Sequence, residues 1–291
     1  MRSFLFIPGD SPKKLDKGIG SGADALLLDL EDSISPQRKV EARATTVAFL
    51  NEARGAKARP RLYVRINGLA TGLADDDLGA VMAGAPDGIL LPKAEGGAAV
   101  ADCDARLKVW ETRHNLKPGA TKIIAIATET AAALFLAGSY AGASPRLKGL
   151  TWGAEDLSVE LGAEANRDRD GNFLAPYQLA RSLCLAGAAA AQVQAIDTVY
   201  VDFRNDAGLR RECEEARRDG FTGKMAIHPA QVAAINEVFT PTAEAIQRAQ
   251  AIVAAFAADP GAGTIGIGGV MYDRPHLERA KQLLARAKRT A

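Results

Sequence analysis

A chain of 291 residues, 47% of them apolar, is long enough for one α/β barrel or two ordinary domains and has ample material for a core. Its formal net charge of +1 excludes a broad basic field for nucleic acid and an acidic tail, so any anion site has to be local. Three cysteines, Cys103, Cys184 and Cys213, form no CxxC pair, and their odd number argues against a disulfide framework; they read as reduced and buried, as in a cytoplasmic protein.

In chain order, the first apolar run (4–7) stops at Pro8 and is too short for a signal peptide or a membrane span. Further runs follow at 25–29, 62–66, 88–91, 123–127, 149–152, 198–200 and 225–227. They lack polar alternation, as expected of parallel strands covered on both faces. Between them lie helical patterns at 37–51, 98–114, 131–140, 177–191, 209–219 and 229–238. Eight strand–helix units predict a TIM (β/α)8 barrel over 1–240, with a doubly wound sheet as the alternative. A helix at 241–258, a glycine-rich stretch at 259–269 and a last helix at 275–287 make 241–291 a C-terminal helical, lid-like arm that packs beside the barrel or reaches a neighbouring subunit. No membrane and no nucleic-acid partner is expected.

Chemistry in a parallel barrel sits at the C-terminal strand ends. Unusual polar residues recur there: Asp29-Leu30-Glu31-Asp32, Arg65 and Asn67, Pro92-Lys93, Thr128-Glu129-Thr130, Gly153-Ala154-Glu155-Asp156 and Ile227-His228-Pro229. Singly, each reads as well as a helix cap or a surface ion pair. Together they bring carboxylates from three strands to one mouth beside one arginine and one lysine. Such a cluster is costly without a cation, and a hard ion such as Mg2+ suits an all-oxygen set. Zinc is disfavoured, because there are three histidines and no His/Cys spacing that suits it.

These segments carry a resemblance. Arg2-Ser3-Phe4-Leu5-Phe6-Ile7-Pro8-Gly9, Asp29-Leu30-Glu31-Asp32-Ser33, Val64-Arg65-Ile66-Asn67, Leu91-Pro92-Lys93, Glu129-Thr130, Gly153-Ala154-Glu155-Asp156-Leu157, Gly223-Lys224-Met225-Ala226-Ile227-His228-Pro229-Ala230-Gln231 and Met271-Tyr272-Asp273 run in order along almost the whole chain. In these the chain resembles the citrate lyase β-subunit-like family of the HpcH/HpaI aldolase superfamily. The resemblance implies a magnesium-dependent carbon–carbon lyase that cleaves a β-hydroxyacyl-CoA (malyl-CoA, methylmalyl-CoA or citramalyl-CoA) to a 2-oxoacid and an acyl-CoA, or runs the reverse condensation. A citryl-ACP lyase β subunit of a citrate lyase complex, or a class II 2-oxoacid aldolase without CoA, are the alternatives. His228 in Ile-His-Pro leans towards a free-standing CoA enzyme.

By resemblance, Glu129 and Asp156 match the magnesium ligands and Arg65 the arginine that holds substrate and stabilises the thioester enolate. The Glu155–Asp156 backbone matches a loop that binds the substrate carboxylate. Phe6, Lys17, Ile227 and His228 match acyl-CoA contacts. Asp273 matches a proton-transfer aspartate delivered to a neighbouring subunit, and a homotrimer or hexamer is implied. The chain departs from the family pattern at Ser11, with Lys13 and Lys14 close by, where CoA-binding members often carry arginine, and at Tyr272, which stands where valine or isoleucine is usual. Lys93 suits an electrostatic role better than a Schiff base, given its acidic surroundings.

Overall fold

The computed structural model describes residues 1–56 and 58–290, without the side chains of 289 and 290; Lys57 and Ala291 lie outside the described residues. Eight strands pair in sequence order and close as a parallel barrel, β8 returning to β1. They are β1 (Ser3–Pro8), β2 (Ala25–Asp29), β3 (Arg61–Arg65), β4 (Gly88–Leu91), β5 (Lys122–Ile126), β6 (Leu147–Thr151), β7 (Gln194–Asp197) and β8 (Gly223–Ala226). The intervening helices are α1 (Pro12–Ile19), α2 (Lys39–Ala53), α3 (Ala74–Val81), α4 (Gly96–Arg113), α5 (Ala131–Leu136), α6 (Ala154–Glu160), α7 (Ala175–Ala190), α8 (Asp206–Asp219) and α9 (Gln231–Phe239). No helix among the described residues is long and apolar enough to cross a membrane.

Strand alternation divides the core in two. Inward side chains, Phe4, Leu27, Tyr63, Leu90, Ile124, Ile196 and Met225, fill the barrel axis. Outward ones, such as Leu5, Leu26, Val64, Ile89 and Leu150, pack under the helices. Continuous apolar strands follow, since both faces are dry. Gly88 is required beside Tyr63, because a Cβ there would lie 2.2 Å from the ring. The inward rows run on into the mouth, from Phe4 to Phe6, Leu27 to Asp29 and Tyr63 to Arg65. The β2–β3 register sets Asp29 opposite Arg65.

Two expectations need correction. The seventh strand is Gln194–Asp197, not 198–200. Its polar ends hide it in the sequence; Asp197 is tolerated in the sheet because it pairs with buried Lys224 of β8. The pattern at 131–140 gives α5 only to Leu136 and then a tighter 3-10 turn, Ala137–Tyr140.

The arm continues from α9 as α10 (Ala243–Ala258), a hairpin of β9 (Thr264–Ile267) and β10 (Val270–Asp273), and α11 (Arg274–Thr290). The glycine-rich stretch is thus partly a hairpin. Gly268 and Gly269, with φ of 56° and 81°, make the two-residue turn, which needs two left-handed residues. Ile252, Phe256, Leu277 and Ala280 form a small core of the arm's own, with Ile265, Ile267 and Tyr272 against it. α10, 16 residues or roughly 24 Å long, packs along α11, and Phe239 of α9 and Arg286 of α11 line one cavity at the base of the barrel.

Candidate active site

At the C-terminal ends of the strands a cavity of about 340 Å³ opens, lined by Phe6, Asp29, Arg65, Glu129, Trp152, Glu155, Asp156, Met225 and Ile227 among others. Arg65 is its centre. Nε and Nη2 donate to the two Asp29 oxygens, each at 2.7 Å, and Nη1 lies 3.0 Å from Glu31 and 3.3 Å from Asp32. The guanidinium sits 4.9 Å over the Phe6 ring, an additional hold on its plane. Burial opposes charge on both partners, but the bidentate pair prevails: Asp29 is held below the usual carboxylate range and Arg65 is raised.

Lys93 follows β4 in a left-handed conformation, φ 49°, a strained state for a non-glycine residue. That geometry turns its backbone N–H towards Glu129, which accepts it, while Nζ reaches Glu31 at 2.7 Å and Asp156 at 3.2 Å. Burial lowers the affinity of Lys93 for its proton, yet Glu31, Asp156 and Glu129 together raise it. A permanently charged ammonium is a poor Schiff-base nucleophile and a good counter-charge.

The acids remain under-compensated. Glu129, 3% exposed, is pushed up to about 8 by burial; the Lys93 N–H opposes this, while Glu31 and Asp156 add to it. Glu31 is also raised, chiefly by burial, and its Oε2 makes no hydrogen bond although Arg65 stands 3.0 Å away. A Cβ on Gly153 would lie 2.7 Å from Glu129 Cγ, so glycine lets the β6 end close over this carboxylate. Glu155 and Asp156 occupy the first turn of α6, which no side chain caps. Two carboxylates from adjacent strand ends, one of them buried and raised, beside an open cavity, fit a hexacoordinate oxygen-seeking cation that keeps several water or substrate ligands. Among the described residues no group of three or more His, Cys, Asp and Glu side chains is placed to hold a metal ion.

The structure brings Phe6, Arg65, Glu129, Glu155, Asp156 and Ile227 to this cavity. It does not bring Lys17, His228 or Asp273 there within one chain. Lys17 is exposed on α1. His228 is exposed, stacks on Phe203 at 4.7 Å and accepts from Ala230 N at 3.2 Å. Asp273 ends β10 out on the arm, where it pairs with the His276 ring and accepts from His276 N at 3.4 Å, a cap for α11.

Sequence reasoning missed several supports. Lys39 Nζ ties Leu30 O and Glu31 O, both at 2.7 Å, to Asn67, and so shapes the loop that carries Glu31. Trp152, 1% exposed, walls the cavity and donates to Asp197 at 2.8 Å. Asp197 accepts from Lys224, Lys224 reaches Glu212, and Glu212 pairs with Arg167, each at 2.7 or 2.8 Å. Arg167 lies 3.6 Å over Phe173, whose ring meets Trp152 edge-on at 4.9 Å. This closed circuit fastens the loop after α6 to the barrel. The one local signal was a lysine inside an otherwise apolar strand, Gly223–Ala226.

Comparison with known proteins agrees with this architecture. The family model described as HpcH/HpaI aldolase/citrate lyase matches residues 2–229, and one described as a C–C bond lyase of the TIM-barrel fold matches 173–290. The chain is 36% identical over 296 residues to a (3S)-malyl-CoA thioesterase of Cereibacter sphaeroides, covering 100% of this chain and 95% of that protein. It is 33% identical over 302 residues to the mitochondrial citramalyl-CoA lyase of Mus musculus, covering 98% and 86%. A crystal structure of protein CitE from Mycobacterium tuberculosis in complex with magnesium, acetoacetate and coenzyme A superposes with a TM-score of 0.80 at 31% identity, covering 99% of this chain and 98% of that one. With the barrel, its acid-rich mouth and these matches in hand, the chain belongs to the HpcH/HpaI aldolase/citrate lyase family of carbon–carbon lyases.

Proposed function

We propose that the chain cleaves, or in reverse forms, the carbon–carbon bond of a β-hydroxyacyl-CoA such as malyl-CoA, methylmalyl-CoA or citramalyl-CoA, giving a 2-oxoacid and an acyl-CoA. The observation that carries this reading is the pairing, in one cavity, of an arginine fixed by a buried carboxylate with a second buried acid, Glu129, whose charge burial disfavours and which stands beside Asp156 in the cavity wall. The first suits an enolate oxygen and the second a cation. The relatives named for CoA thioesters, and the solved structure holding magnesium and coenzyme A, support the choice of substrate and ion.

Glu129 and Asp156 would hold one Mg2+, which when bound supplies Lewis acidity towards the hydroxyl and carboxylate of the 2-hydroxy-acid half. As the carbon–carbon bond breaks, the hydroxyl hands its proton to water at the open mouth and its carbon becomes the ketone. The bond's electron pair passes to the thioester enolate. Arg65 donates its remaining N–H groups to that oxygen; Asp29 fixes the guanidinium plane beforehand, so little reorganisation is left for the reaction. Lys93 keeps the acid cluster from repelling a carboxylate substrate, and the α6 N-terminus faces that carboxylate with its first-turn N–H groups. Trp152 and Phe6 are apolar walls that exclude water from the enolate.

Protonation of the enolate carbon falls to Asp273 of a second copy. Its own mouth does not receive it, and the hairpin that carries it exposes Val270 and Met271 by 54% and 62%. Phe135 and Val159, exposed by 89% and 81% on the mouth-side helices α5 and α6, are apolar surface of the kind such an arm would cover. On its own arm Asp273 is held below the usual carboxylate range by His276. Acting as an acid requires it to leave that partner and enter a drier site. A homotrimer or a hexamer satisfies this arrangement.

The test is a panel of malyl-CoA, methylmalyl-CoA, citramalyl-CoA and citryl-CoA with Mg2+, scoring 2-oxoacid and free CoA thiol separately. Oxoacid without free thiol is the expected outcome. Free thiol without oxoacid would mean thioester hydrolysis instead, and neither product from any thioester would reject the proposal.

A further inference from the structure

The opposite end of the barrel holds a larger cavity, of about 730 Å³, between the N-terminal strand ends and α11. Its lining is strongly one-sided in charge. Among the described residues, Arg2, Arg61, Lys122, Lys148 and Arg286 line it against a single carboxylate, Asp87. Asp87 is already engaged by Arg59, by Arg61 at 3.1 Å and by Leu62 N at 2.8 Å, and Arg2 is matched by Asp24 at 2.8 Å. Lys122 and Lys148 differ: each ammonium donates only to a backbone carbonyl, of Gly119 and Pro145, and neither pairs with a carboxylate among the described residues. In a chain of formal net charge +1, this excess is local.

A second observation concerns Tyr63. It is an inward side chain of β3, next above Arg61, 4% exposed, and lines this cavity. Among the described residues its hydroxyl makes no hydrogen bond, and it is left open to the cavity, where a ligand could supply the partner. Burial, followed by Asp87, pushes its pKa up to about 12, so it remains a donor at neutral pH. Donors and cations gather here, and two of them, Lys122 and Lys148, are paired with no carboxylate among the described residues. That pattern suits a compact, multiply charged anion with acceptor oxygens on several sides.

We propose that this basal cavity binds a phosphate-bearing polyanion, held by Lys122, Lys148 and the Tyr63 hydroxyl. Diphosphate is the smallest ligand of this class, and a nucleotide is the larger form the volume admits. Because α11 forms one wall, the ligand would bridge the barrel and the arm. The site is independent of the mouth, since Tyr63 and the rest of the packed barrel interior lie between the two.

The test is titration calorimetry of the full-length protein with inorganic pyrophosphate and, separately, ATP, at low and raised salt. Expected is saturable 1:1 binding that weakens with salt and is reduced roughly tenfold by Lys122→Gln and by Lys148→Gln, the scale of one charge-assisted hydrogen bond. Tyr63→Phe should lower it less, and Arg65→Lys in the mouth should leave it unchanged. Tighter binding of ATP identifies a nucleotide site, and equal binding a site that reads phosphate alone. No saturable binding of either probe, or binding that survives both lysine changes and falls in Arg65→Lys, overturns the proposal.

Discussion

Replacing Arg65 by lysine separates charge from geometry. The guanidinium has five N–H donors. Three are committed, two to Asp29 and one to Asp32, so two remain for a substrate oxygen. A lysine ammonium is a single point with three donors, and Asp29, 2% exposed and requiring compensation, would claim it. The fold should therefore survive Arg65→Lys, whereas Arg65→Ala leaves Asp29 buried and unpaired at a cost of about 3–5 kcal/mol. Loss of one preorganised oxyanion donor is worth about 2.7–4 kcal/mol, a drop in kcat of about 10²–10³. Initial rates of 2-oxoacid release, trapped as the hydrazone, give kcat and KM, and a urea melt tests the fold. If Arg65→Lys keeps kcat within a few-fold of wild type while KM alone rises, Arg65 only binds substrate and the enolate argument fails.

Glu129→Gln and Asp156→Asn should each abolish Mg2+-supported turnover. Glu129→Gln should also raise the metal-free Tm, because it removes a buried, repelled carboxylate; an unchanged or lower Tm would contradict the environment assigned to Glu129. Lys224→Met leaves Asp197 buried without its main partner and should cost about 3–5 kcal/mol in a denaturant melt, with Trp152 fluorescence altered even where the fold persists; a loss under about 1 kcal/mol, the range of surface pairs, would show that Arg181 suffices. Asp104 and Glu111 are raised by burial but held lower overall by Arg146, so their stabilisation is present above the unfolded carboxylate values near about 4 and is lost as pH falls through the depressed folded values. Arg146→Met should flatten that acid limb of Tm against pH, and a parallel limb would refute the linkage. Mixing Asp273→Asn with Arg65→Ala subunits should restore activity from two inactive parents if sites are shared between copies; demonstrated exchange without recovery would place Asp273 elsewhere.

The barrel was legible in the sequence because parallel strands dry on both faces have to be uninterrupted apolar runs. Seven of the eight runs, for example 25–29 and 88–91, coincide with or overlap the observed strands. The eighth was hidden because Gln194 and Asp197 break the pattern, and what makes Asp197 acceptable there, Lys224, is 27 residues away in the chain. The arm's hairpin escaped notice since its strands are only half-covered and its glycines read equally as a hinge. Polar residues at strand ends stood out for the same reason the strands did: an acid or arginine beside an apolar run has to face the mouth or be paired.

Which of those residues share one cavity was a tertiary matter. Alternation sends Asp29 and Arg65 inward together, and register makes them neighbours. The left-handed turn at Lys93 that gives Glu129 its N–H, and the circuit from Trp152 to Arg167, follow from packing between distant elements and leave no local trace. Lys17 and His228 are exposed and do not line the cavity within one chain, a placement that order along the chain does not reveal. The sequence by itself determined the alternation of strands and helices and the chemical types at the mouth, since both are written in the run of apolar and polar residues. Tertiary structure alone decided which charges neutralise one another and which are left over, since electrostatic compensation depends on distances of a few ångströms across the barrel and not on order along the chain.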